Sequence, residues 1–256
     1  MKLNTFNTIC WVLLTIGSIL SQNLYAQNYK TVGQIPVPTG YKRVSVSAES
    51  FGTFLRSCQL KQTDNTVYLY NGQRKGNQTA QFAVLTMDVG TADLQQCADA
   101  VMRLRAEYLY AQKKYADIKF NFLSDGKPRY YTNYAKGDYS YKKFRKYMNY
   151  IFSYANTGSL LKELKKVSSL NTIEPGDVFI QKGVPYGHAV TVMDVAVNEK
   201  TGEKLFLLSQ SYMPAQDIHI LVNPSDSQLS PWYDINFGDE LITPEWTFTK
   251  SDLHRF

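Results

Sequence analysis

The chain has 256 residues, of which 44% are apolar and 20% charged, and its formal charge is +6. That length suits one domain, or one domain with a large insertion, and is ample for a core. With only three cysteines and three scattered histidines it excludes a disulfide scaffold and argues against a Cys/His zinc site, and no cofactor is expected.

The first element reads as a secretion signal. Lys2 precedes an apolar stretch from Ile9 to Leu20 that is short for a membrane span, and Leu24-Tyr25-Ala26 ends in a small residue where cleavage is expected. Cleavage after Ala26 predicts an exported protein, periplasmic or extracellular. Cys10 lies inside the apolar stretch, which argues against a lipid-anchored cysteine. No later segment is apolar for long enough to span a bilayer.

Residues 27–45 read as extended, since Pro36 and Pro38 discourage helix. A short helix over 47–57 follows, capped by Ser47, with Phe51, Phe54 and Leu55 at helical spacing. TVYLYNGQ alternates as a strand ending in the Asn71-Gly72 turn, and QFAVLTMDV is a second strand. GTADLQQCADAVMRLRAEYLYAQKKY is the strongest helix. Thr91 or Asp93 can cap it, Leu94, Cys97, Val101, Leu104 and Tyr108 share a face, and Cys97 falls in or near the first turn. IKFNFLSDGKPRYY predicts a hairpin turning at Asp125-Gly126. YSYKKFRKYMNYIFSYANTG predicts a basic, aromatic helix, and SLLKELKKV a shorter one capped by Ser159. Then come a strand at 178–180, a tight turn over 183–187, a long strand from His188 and the strand LFLLSQSY. The tail, with Pro224, Pro231 and Pro244, reads as loop with short strands. A helix opening at a cysteine, an insertion at about 113–170 and antiparallel strands opening at a histidine make an α+β arrangement.

Charge is unevenly spread. From Lys113 to Lys166 there are thirteen Lys/Arg against four Asp/Glu, and from Leu205 to Thr249 six acidic residues and no Lys or Arg. Such asymmetry predicts a surface for an anionic partner. For an exported protein, envelope peptide or glycan fits better than nucleic acid, for which no motif is present. Residues 108–154 hold eleven tyrosines. These suit stacking on sugars, and equally an aromatic core beneath solvated lysines. The binding candidates are Lys142, Lys143 and Lys146 on the basic helix, and Tyr186 in the turn before His188.

A cysteine nucleophile must be a thiolate, and a helix N-terminus lowers a thiol pKa. A histidine takes the proton and later gives it to the leaving group. A third polar side chain holds the imidazole in one tautomer. Cys97, His188 and Gln210 fit these roles in chain order, with Asp194 a rival to Gln210. Gln96 is positioned to donate to an oxyanion together with the Cys97 backbone N–H. The same residues also admit a structural reading, as a core cysteine and a satisfied histidine. His219 and His254 have no evident partners and read as structural, and Asp177 reads as support for its own turn. A Cys58–Cys97 disulfide is possible in an oxidising compartment; catalysis by Cys97 requires it to be absent, so free thiols are predicted.

QQCADAVMR resembles the stretch around the nucleophile of CHAP-type amidases. PGDVFIQKGVPYGHAVTVMDV resembles the strand pair shared by CHAP and NlpC-type cell-wall peptidases, and LSQSY falls where those families place their third residue. The resemblance implies a papain-like core, Cys97 as nucleophile, His188 as base and Gln210 as orienting residue, with Gln in place of the usual acid. Over residues 45–256, the stretches QQCADAVMRLRAEYLY, GDVFIQKG, GHAVTVMDVAVN, LLSQSYMPAQDIHIL, SPWY and TPEW are similar to an uncharacterised family of exported bacterial proteins, a domain of unknown function. The leading expectation is a cysteine hydrolase of amide bonds, with those of cell-wall peptides as the candidate substrate. The competing one is a non-catalytic glycan- or peptide-binding protein.

Overall fold

The computed structural model describes residues 29–256; the segment read as a secretion signal, with Cys10, lies outside them. The chain begins with β1 (Tyr41–Arg43) and α1 (Phe51–Ser57). The cap of α1 is Ser50 rather than Ser47, because the Ser50 hydroxyl accepts the Thr53 N–H at 3.2 Å. Ser47 instead gives its carbonyl to the Thr53 hydroxyl. TVYLYNGQ forms only isolated bridges, Tyr68 to Arg74 and Leu69 to Gln216, around the predicted Asn71-Gly72 turn. β2 (Gln81–Val84) is shorter than the expected strand QFAVLTMDV, and Leu85 adds only an isolated bridge to Leu60.

α2 (Cys97–Ala111) is the longest helix, and Cys97 is its first residue. It starts later than Thr91 or Asp93 suggests. Asp93 is engaged elsewhere, accepting the Ala215 N–H at 2.7 Å and the Gln96 amide at 3.1 Å. Next come the hairpin β3 (Lys119–Asn121) and β4 (Pro128–Tyr130), then α3 (Tyr131–Ala135), α4 (Tyr141–Phe152) and α5 (Thr157–Glu163). Asn156 caps α5, and Ser159, the expected cap, returns its hydroxyl to the Asn156 N–H at 2.9 Å.

The remaining strands are β5 (Lys165–Lys166), β6 (Val178–Gln181), β7 (His188–Asn198), β8 (Lys204–Gln210), β9 (His219–Leu221), β10 (Tyr233–Asp234), β11 (Glu240–Ile242), β12 (Thr247–Thr249) and β13 (Leu253–Arg255). Nine strands make one antiparallel sheet along β2-β9-β8-β7-β6-β13-β5, with β1 also on β7 and β10 on β8. The fold is α+β. α2 packs on β7 and β8, and the hairpin β11–β12 reaches β6. β7 is covered on both sides, so nine of its eleven residues are buried and it reads as a continuous apolar run.

A bulge between Val192 and Asp194 changes which side chains face which cluster. Val190, Val192 and then Val195 join Phe179, Phe206 and Phe248 in one apolar cluster, while Ala189, Met193 and Ala196 join the cluster containing α2. Asp194, at the bulge, accepts Arg43 Nε at 2.6 Å and Arg56 Nε at 2.7 Å. It ties β1 and α1 to β7 and is not the partner of His188. Asp177 accepts the Glu174 N–H of its own turn at 3.0 Å, as expected, and also Arg255 Nε at 2.5 Å.

Residues 113–164 share the apolar cluster of α2. Phe144 lies 4.5 Å from Tyr110, Tyr131 lies 5.2 Å from Tyr147, and Tyr115 stacks on Tyr139 at 4.4 Å. Phe144, Tyr147 and Ile151 of α4 face inward as their spacing predicts. Of the lysines, Lys142 and Lys146 face water, whereas Lys143 is half-buried with its ammonium 5.1 Å from the Tyr134 ring centre. Among the described residues no helix is long and apolar enough to cross a membrane.

Candidate functional site

Cys97 opens α2, and His188 opens β7. The Cys97 Sγ lies 3.7 Å from the carbonyl oxygen of Gly187, the residue before His188. The Ala189 N–H, on the other side of His188, also faces the sulfur. Sequence-distant Cys97 is thereby seated against the first turn of backbone of β7. Both side chains are buried, Cys97 at 6% exposure and His188 at 1%. No hydrogen bond joins them among the described residues. Tyr212 sits beside both: its ring lies 4.9 Å from that of His188, and charge on Cys97 raises the pKa of its hydroxyl, after burial and Glu245. Cys58 and Cys97 are both free thiols, as predicted.

His188 Nε2 lies 2.9 Å from Gln210 Oε1, so of the two expected partners Gln210, and not Asp194, is bonded to His188. Behind Gln210 stands a polar chain that its own stretch of sequence does not reveal. Gln210 Nε2 donates to Glu245 Oε2 at 2.7 Å and lies 3.3 Å from His219 Nε2. Glu245 pairs with Lys75 and accepts from Asn77 at 3.1 Å. His219, for which the sequence shows no evident partner, is buried and touches this chain directly. The rings of Trp246 and Phe248 lie 5.3 Å and 5.9 Å from His188 and enclose it. The signal for Glu245 was its place between proline and tryptophan in TPEW; nothing linked Lys75 to it.

Burial holds the His188 pKa down to about 4, against a smaller opposing pull from Gln210 and Glu245. Burial also pushes the Cys97 thiol up, with Asp99 adding to it; the Ala98 N–H, the Thr157 hydroxyl and the Ala189 N–H pull the other way. The helix N-terminus therefore does not by itself yield a resting thiolate. Cys58 is pushed up to about 12 by burial and Glu107. The resting pair is a thiol and a neutral imidazole.

Cys97 lines a cleft of about 240 Å³, with Gln96, Asp99 and Thr157 on one side and the 182–187 loop, including Tyr186, on the other. Tyr186 is 61% exposed at this rim. The loop is tight: a Cβ on Gly183 would meet the Tyr186 carbonyl, and one on Gly187 the Gln181 carbonyl. Gln96 is the N-cap of α2. Its side chain donates to Asp93, and its N–H donates to Asp99 Oδ2 at 3.1 Å. The Gln96 side chain, expected to face an oxyanion together with the Cys97 backbone N–H, thus has one of its two amide hydrogens already engaged. Lys142, Lys143 and Lys146 do not line this cleft.

The chain belongs to the family described as Domain of unknown function (4846), whose profile matches residues 32–255. No curated protein and no solved structure matches it.

Proposed function

We propose that the protein is an exported cysteine hydrolase of amide bonds, acting on cell-envelope peptides, with a papain-like core and residues of about 113–170 as an insertion. The observation that carries this reading is the 2.9 Å bond from His188 Nε2 to Gln210 Oε1, at the strand end against which Cys97 opens α2. That bond leaves Nδ1 as the base. The Cys97 thiol leaves the Gly187 carbonyl and passes its proton to Nδ1 as sulfur attacks the substrate carbonyl. The backbone N–H groups at the start of α2 and the remaining Gln96 amide hydrogen face the developing oxyanion. His188 returns the proton to the departing amine, and water then releases the acyl group. Because the resting thiol is protonated, this mechanism uses general-base transfer rather than a standing ion pair.

One observation favours the second reading, a peptide- or glycan-binding protein: Cys97 and His188 are both nearly sealed, which suits core residues. The test combines two measurements. Peptide fragments of cell wall are incubated with wild type and Cys97→Ala, and products are read by mass spectrometry. Iodoacetamide labelling under native conditions compares Cys97 with Cys58. Cleavage by wild type alone, with Cys97 labelled first and faster as pH rises, is expected. No cleavage, with Cys97 labelled no faster than Cys58, overturns the hydrolase; retained peptide binding then selects the second reading.

A further inference from the structure

We infer that Glu245, balanced by Lys75, is a positioning residue that fixes the tautomer of His188 through the Gln210 amide. The argument needs only which groups can donate. A carboxylate accepts and cannot donate, so the Gln210 atom 2.7 Å from Glu245 Oε2 must be the amide nitrogen. A second anchor agrees. His219 Nδ1 lies 2.9 Å from the Asp217 carbonyl oxygen, which also only accepts, so Nδ1 carries the His219 proton. In the neutral ring Nε2 is then a lone pair, and it faces Gln210 Nε2 at 3.3 Å. Both amide hydrogens of Gln210 are thus directed at acceptors. Its oxygen can only face His188, and His188 Nε2, at 2.9 Å, must carry the hydrogen. His188 is left with a lone pair on Nδ1.

The anchor is built to stay ionised. Burial raises the Glu245 carboxyl, and Lys75 and Asn77 more than offset this, leaving it below the ordinary carboxylate range. Lys75 is itself only 7% exposed, so the two charges are held together out of water. Trp246, next to Glu245 in the chain, donates its indole N–H to Gln181 Oε1 at 2.9 Å, which fixes the segment carrying the carboxylate. The negative charge stands one side chain beyond the histidine, and a neutral amide carries its directional effect inward. The tautomer stands on this geometry alone; that Nδ1 serves Cys97 rests on the hydrolase reading.

The experiment is a nitrogen-15 long-range correlation spectrum of the full chain labelled at histidine. Wild type should give one His188 tautomer, protonated at Nε2 and bare at Nδ1. The double variant Glu245→Gln/Lys75→Met removes both charges together and keeps similar volumes. It should give a mixture of His188 tautomers, and native Cys97 alkylation should slow about tenfold, with Cys58 labelling unchanged. A wild-type His188 protonated at Nδ1 overturns the inference and requires no variant. A folded double variant with a pure Nε2–H tautomer also overturns it. If the tautomers behave as stated while no peptide is cleaved and Cys97 labels no faster than Cys58, the positioning chain stands and the hydrolase falls.

Discussion

The polar chain behind His188 and the aromatic region around Tyr131 are both buried, yet different features of their side chains are constrained. Around Tyr131, Phe144 and Tyr147, most contacts are ring against ring at 5.2–5.7 Å, which an apolar group of similar size satisfies; the Tyr147 hydroxyl adds one directed bond, donated to the Arg129 carbonyl at 2.7 Å. At Gln210, every polar atom of the side chain has a directed partner, and shape alone does not satisfy them. The first region tolerates a change of chemistry at constant volume. The second does not, and that intolerance is expected where a single proton arrangement matters.

The strongest way to sharpen this contrast is Gln210→Glu, which keeps volume and shape. The new carboxylate faces Glu245, and like charges at that range force one of them to hold a proton. We expect a loss of about 3–5 kcal/mol near neutral pH, the size of breaking a buried charge arrangement. Relative to wild type at the same pH, the loss should shrink as pH falls and protonation becomes easier. Urea unfolding across pH measures it. A loss below about 1 kcal/mol would mean that the chain around Gln210 is as permissive as an apolar contact.

The two regions should also respond to pH with opposite sign. Burial holds His188 and His219 down to about 4, below their unfolded 6.5. Their contribution is complete above about 6.5 and is lost as pH falls toward 4, by up to about 3 kcal/mol each. Glu163, on α5, accepts the Asn121 N–H at 2.6 Å, and burial pushes its carboxyl up to about 7. Its contribution is complete below its unfolded 4.5 and is lost as pH rises through 7. Hydrogen exchange, corrected for intrinsic pH dependence, should show β7 and β8 losing protection toward pH 4 and the amides around Asn121 losing it above 7. A shared direction would break the contrast.

A smaller effect comes from Tyr131→Phe. Among the described residues the buried Tyr131 hydroxyl has no hydrogen-bond partner, although its ring is wedged among Tyr110, Tyr115 and Phe144. Removing an unsatisfied buried hydroxyl should stabilise the protein by about 1 kcal/mol. Thermal unfolding of the variant checks this; destabilisation would mean that the Tyr131 hydroxyl has a partner, as the Tyr147 hydroxyl has in the Arg129 carbonyl.

The same contrast explains what could be read from the chain. Helix α4 was legible because Phe144, Tyr147 and Ile151 repeat at helical spacing, and β7 because its apolar run is long and bounded by glycine and asparagine. Cys97, His188 and Gln210 were legible because each sits at a position where a helix or strand presents it. The partners that fix Gln210 were not. Lys75, His219 and Glu245 come from three separate segments, and a hydrogen bond between distant segments leaves no periodic trace. The bulge at Asp194 was hidden for a related reason: one extra residue in an unbroken apolar run changes facing without changing composition. The Ser50 cap was missed because Ser47 and Ser50 are equally good caps, and only the 3.2 Å bond to Thr53 separates them.

The smallest expected effect on stability concerns the lysines of α4. Lys142 and Lys146 face water, and no ion pair to either is present among the described residues. Replacing both with Ser should change stability by less than about 0.5 kcal/mol, since isolated exposed charges contribute little. Lys143 differs: its ammonium lies over Tyr134, and Lys143→Ser should cost about 0.5–1 kcal/mol through the lost cation–π contact. If the basic face holds anionic envelope polymer, its attraction is screened by salt and acts through the exposed pair. Wild type should then elute from a polyanion column at higher salt than Lys142→Ser/Lys146→Ser, with the urea midpoint of the two unchanged. Equal elution would remove the charge asymmetry from partner choice and, of the two candidate binding surfaces, leave the cleft at Cys97. A fall in the urea midpoint would instead make these lysines part of the aromatic region's stability, and the contrast between a permissive packed region and a directed polar one would then need a third class of residue.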